Sequence, residues 1–178
     1  MRKLFHRLRR DERGAAIIEL ALIAPIMGLA VVGIVDLSNA YSRKLALEQG
    51  AQRAIEKIMQ TTEDDTVEGT LKTEAVCQVN GLDSSTGLCK TTPITASDVT
   101  VTWRLECSDS SNAIVGTQTG TDAEAFDKLT CASSAQRESR YIEIKVVDKY
   151  SPMFPIHFAA IDSDNTYHIS ATAGMRTQ

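Results

Sequence analysis

Positions 15–35 form an apolar run of 21 residues with one ionisable side chain, Glu19. As a helix rising 1.5 Å per residue, the run is about 30 Å long, the thickness of a bilayer's hydrocarbon core. Pro25 removes one helical hydrogen bond inside it, and Gly28 and Gly33 weaken the helix further, so a kink is expected at Pro25. Ala24 and Gly28 make a small-xxx-small pair that lets a second helix approach closely. Beyond the run, Leu37, Tyr41, Leu45, Leu47, Ala51, Ala54, Ile55 and Ile58 recur at three- and four-residue steps between polar positions. That periodicity predicts a helix extended to Gln60, with one apolar face packed on a neighbouring element. The polar stretch 61–66 then ends it.

After residue 66 the period changes. Val99, Val101, Trp103, Leu105 and Cys107 alternate with Thr100, Thr102, Arg104 and Glu106, which predicts a half-buried strand. Residues 141–147 repeat the pattern, with Ile142, Ile144 and Val146 on one face. Tyr167, Ile169, Ala171, Ala173 and Met175 make a third strand. A fourth is placed at 72–79, although Glu74 and Ala75 also suit a helix. Residues 108–120, rich in Ser, Thr, Asn and Gly, read as loop, and 122–129 as a short helix. Pro152 and Pro155 fix an extended or turning connection before the last strand. The expected class is α+β: a long N-terminal helix, transmembrane then amphipathic, packed on a small, mainly antiparallel β domain. The divisions are a leader at 1–14, a span at 15–36, an amphipathic extension at 37–60 and a β-rich domain at 61–178.

Charge orients this arrangement. Of 19 Lys/Arg, six fall in residues 1–14 against two of the 23 acids, so the remainder carries 13 basic and 21 acidic residues, a formal net charge of −8. Arg2, Lys3, Arg7, Arg9, Arg10 and Arg13 therefore hold the N-terminus in the cytoplasm and send the rest across the membrane. An acidic bulk argues against nucleic-acid binding. The four cysteines, Cys77, Cys89, Cys107 and Cys131, all lie after the span, with no Cys-x-x-Cys and no nearby His, so zinc is disfavoured. An even count in a small exported domain predicts two disulfides; of three possible pairings the sequence-local one, Cys77–Cys89 and Cys107–Cys131, is expected. A cleaved signal peptide ending at Ser38-Asn39-Ala40 competes with the span, but the apolar run is too long for one and contains an acid.

Catalytic chemistry is hard to place, and neither an enzyme nor a cofactor is expected. His6 belongs to the leader, His157 to an apolar segment, and His168 points outward on the last strand. No nucleophile elbow, zinc-protease motif or phosphate loop occurs. Asp162-Ser163-Asp164-Asn165 lacks the ligand pattern of a calcium loop and reads as a turn. The unexplained residue is Glu19. A carboxylate near the middle of a span costs about 2.5–3.5 kcal/mol, and less toward its end. It stands five residues after Gly14, directly behind the basic leader.

The run Arg13-Gly14-Ala15-Ala16-Ile17-Ile18-Glu19, continued to Pro25 and through Gly33-Ile34-Val35-Asp36 to about Arg53, resembles the start of TadE-like proteins, the minor pseudopilins of the tight-adherence (Tad/Flp) pilus. Tyr150-Ser151-Pro152-Met153-Phe154-Pro155 and the segment 169–176 are similar to the end of such proteins. Leu20 stands where the family often has an aromatic residue. The resemblance implies a pilin-like fold and cleavage by a prepilin peptidase between Gly14 and Ala15. It also implies an assembly pair between the Glu19 carboxylate and the freed amine of Ala15 on a neighbouring subunit. The implied setting is the inner membrane, with a periplasmic head, and the implied partners are other pilin and pseudopilin subunits and the assembly platform. The alternative is an uncleaved single-pass membrane protein whose exported domain binds a ligand or partner.

Overall fold

The computed structural model describes residues 12–60, 67–153 and 162–177. The leader residues 1–11 with His6, the link 61–66 and the segment 154–161, which holds Pro155 and His157, lie outside the described residues.

Helix α1 (Glu12–Gln60) is continuous through Pro25, and its 49 residues give a rod of roughly 73 Å. Its first part has no packing: every residue from 16 to 31 is exposed. The packed stripe runs through Asp36, Ala40, Arg43, Leu47, Gly50, Ala54 and Ile58, steps of three and four along one face, with Ala51 and Ile55 buried beside it. Leu47, Ala51, Ala54, Ile55 and Ile58 meet the core as the periodicity predicts. Leu37, Tyr41 and Leu45 do not; they are 65%, 61% and 40% exposed. The packed face of this part of the helix is made of small and polar residues, which let the backbone come close, so counting large apolar side chains selected a neighbouring face.

Helix α2 (Val67–Asn80) replaces the strand expected at 72–79. It buries Leu71, Ala75 and Val76, a helical spacing, against α1 and the sheet. The two helices meet most closely at Gly50. A Cβ there would lie 2.5 Å from Val79 Cγ2 and 3.0 Å from the Ala75 carbonyl oxygen. Gly50→Ala gains about 1 kcal/mol of helix propensity but overpacks this contact by about 1–3 kcal/mol. A net loss of up to about 2 kcal/mol is expected in denaturant unfolding of the detergent-solubilised protein; a more stable variant would contradict the close approach. At the end of α2, buried Asn80 is fully engaged: its Nδ2 donates to the carbonyls of Lys90 (2.8 Å) and Ile94 (2.7 Å), and its Oδ1 accepts from Ile94 N (3.1 Å).

A one-turn 3-10 helix (Ala96–Asp98) leads into β1 (Val99–Ser108), followed by β2 (Ile114–Gly120), helix α3 (Ala123–Asp127), β3 (Arg137–Tyr150) and β4 (Tyr167–Arg176). The strands form one antiparallel sheet in the order β2-β1-β3-β4. Val101 sits opposite Ile144, Trp103 opposite Ile142, and Ile144 opposite Ala173, so the apolar alternation of three strands falls on one face. That face packs α1 over β3 and β4, and α2 over β1. The α+β class and layer arrangement are as expected. The loop expected over 108–120 is corrected: β2 is a strand within it. No position of 114–119 is buried, so it has no inside and outside to imprint on the sequence. Asp122 caps α3 by accepting from Ala125 N at 2.8 Å, and Phe126 enters the core beneath the Arg140 guanidinium. Cys77 pairs with Cys89 and Cys107 with Cys131, at Cα separations of 4.9 and 5.7 Å.

Candidate functional site

The apolar stretch is long and apolar enough to cross a membrane, and none of it is buried in the head. Ile17, Leu20, Ile23, Ile26, Met27 and Ile34 are all more than half exposed. Burial of that much hydrocarbon surface in lipid is what makes such an element stable. Glu19 projects from the same bare helix and makes no hydrogen bond or ion pair among the described residues. The backbone of Arg13, Gly14 and Ala15 belongs to the first turns of α1. No Cβ contact would exist within 4 Å at Gly28, so the Ala24–Gly28 face is open. No described residue of the head approaches Glu19.

Where the span meets the head, polar contacts hold α1 to the end of β3. Asp36, 2% exposed, accepts a hydrogen bond from Met153 N at 2.9 Å through Oδ1. One turn on, Asn39 Nδ2 lies 3.5 Å from Met153 Sδ. Two turns on from Asp36, Arg43 Nε donates to Asp148 Oδ2 at 2.6 Å; the two side chains are 20% and 9% exposed. Arg43 Nη2 and the Tyr150 hydroxyl are buried nearby with no hydrogen-bond partner among the described residues, and the Tyr150 ring stacks on Tyr167 at 6.3 Å. Sequence reasoning did not single out this junction. The available signal was a second acid, Asp36, placed where a membrane span would end.

The residues weighed for chemistry are otherwise occupied. Asp162–Thr166 form a turn directly before β4, closed by Asn165 N to Asp162 O (2.9 Å) and Asp162 N to Thr166 O (3.0 Å). Lys149 Nζ and His168 Nε2 meet Asp164 Oδ2 at 2.9 and 2.8 Å, and His168 Nδ1 lies 3.4 Å from Asp162. Lys149, His168 and the Thr166 hydroxyl hold the Asp164 carboxyl well below the usual carboxylate range. The acids of this turn thus face Lys149 and the His168 ring of the protein itself, as a turn reading requires, and His168 is exposed and faces carboxylates rather than a nucleophile. Among the described residues no group of three or more His, Cys, Asp or Glu is placed to hold a metal ion.

Residues 14–55 match the family model of the TadE-like protein. The match takes in Gly14, Glu19, Pro25, Asp36, Arg43 and Gly50, which is the bare span, the junction and the first part of the packed stripe. It does not extend to 150–155 or 169–176. No curated protein matches the chain, and no solved structure does.

Proposed function

We propose that this chain, TadE-like over residues 14–55, is a membrane-anchored minor pseudopilin that takes part in assembly of a Tad pilus. The observation that carries this is the coincidence of that match with a helix that is exposed at every residue from 16 to 31 and is then built into a disulfide-bonded head. A subunit of this shape waits in the inner membrane with its head on the oxidising side. It is cut by a prepilin peptidase between Gly14 and Ala15, and it enters an assembly through its helix. Cleavage creates an amine on Ala15, and that amine on a neighbouring copy or pilin is the counter-charge Glu19 lacks.

The mature protein is therefore expected to begin at Ala15 and to be shorter by the 14 leader residues. Intact-mass measurement and N-terminal sequencing of membrane-extracted protein decide it. Met1 retained in protein that still supports piliation would return the chain to the other class, an uncleaved single-pass protein with a binding domain.

A further inference from the structure

Among the described residues the sheet ends on two strands with open edges: β2 pairs with β1 alone and β4 with β3 alone, and neither makes a backbone–backbone hydrogen bond on its outer side. Edges of this kind are ordinarily blunted by lysines, prolines or bulges along their length. Here residues 114–120 and 169–175 carry no charge and no proline. The one irregularity, between Cys107 and Ser108 on β1, falls at the start of β2 and leaves 116–120 regular.

The directions of the strands decide what can pair with these edges. Four strands alternate, so β2 and β4 run in opposite directions. A second copy displaced sideways, with its orientation unchanged, brings its β4 antiparallel to β2. Pairing β2 with β2 instead requires a two-fold axis perpendicular to the sheet. Because α1 lies on the face of the sheet, that axis would turn the second span to point the opposite way, which one membrane does not allow. Parallel anchors therefore select the β2–β4 contact.

Residue faces agree with this choice. Setting Thr117 opposite Thr172 places Thr119 opposite Ser170, all on the outer face. On the inner face it places Gly116, Gln118 and Gly120 opposite Ala173, Ala171 and Ile169. Hydroxyl-bearing cross-strand pairs are favourable, and no like charges meet.

We propose that copies of this protein associate side by side in the membrane by adding β4 of one to β2 of the next, with Thr117 in register with Thr172. This rests on the membrane-anchored part of the proposed function. The contact is head-to-tail, so it propagates rather than closing on itself.

The test uses the full chain in its native membrane. All four natural cysteines are in disulfides, so a short bis-maleimide reacts only with engineered ones. The double variant Thr117→Cys/Thr172→Cys is expected to give a ladder of dimers and higher species, at least tenfold above either single variant. Co-expressed single variants should give dimers and nothing larger. The proposal is overturned if carbonate-resistant protein gives no ladder, if Thr117→Cys alone cross-links as well as the double variant, or if the adducts contain a different protein. Release of the protein by alkaline carbonate would instead overturn the anchoring itself, and with it this choice of edges.

Discussion

Glu19→Ala is expected to leave the protein in the membrane and to remove it from pili. In the isolated subunit Glu19 has no partner among the described residues, so its loss breaks nothing in the head. Insertion should improve, since a carboxylate in a span costs up to about 2.5–3.5 kcal/mol. On the proposed function, what disappears is the attraction to an amine on a neighbour, which in a low-dielectric setting is worth far more than in water. A drop of at least tenfold in co-purification with sheared pili is expected, with unchanged resistance to alkaline extraction. Glu19→Gln, which keeps the shape and removes the charge, should behave as Ala does. Glu19→Asp should retain part of the function. Normal incorporation of the Ala variant would mean that Glu19 has no part in docking.

The second large effect is expected at the junction of span and head. Asp148→Ala leaves the Arg43 guanidinium half-enclosed without its carboxylate, and its Nη2 lacks a partner among the described residues. Removing one member of a buried pair costs about 3–5 kcal/mol; with Arg43 20% exposed, about 2–3 kcal/mol is the fitting expectation here. For a head of this size that lowers Tm by about 6–12 °C, read by thermal unfolding in detergent. The double variant Arg43→Met/Asp148→Leu should recover most of the loss, because an apolar pair of similar volume leaves no orphan charge. A change below about 0.5 kcal/mol in Asp148→Ala would show that the pair does not secure the helix.

The parts of the fold legible in the sequence were those with one wet and one dry side. β1, β3 and β4 alternate residue by residue because α1 and α2 cover one face of them, and the register of Trp103 with Ile142 follows from that. β2 was illegible for the opposite reason: no position of 114–119 is buried, so Gly116, Thr117 and Gln118 met no selective burial. For α2 the decisive positions are Leu71, Ala75 and Val76, too few to separate a helical period from alternation. Along α1 the difficulty was chemical. The buried stripe includes Asp36, Ala40, Arg43 and Gly50, residues that a count of large apolar side chains passes over, while Leu37, Tyr41 and Leu45 drew attention to a face left open. The same bias hid the junction, since a buried Asp and a half-buried Arg are recognisable as structural only once Met153 and Asp148 are seen beside them. Gly14 and Glu19 stood out early because their setting is so uniform that one acid is conspicuous in it.

The single rod of α1 also determines how the molecule bears load. When the span is pulled along its axis, the force enters the head through Asp36 and Arg43 and continues through Leu47, Ala51, Ala54 and Ile58 on the same helix. These contacts are spaced along the helix axis, so a pull along that axis loads them in shear rather than one after another.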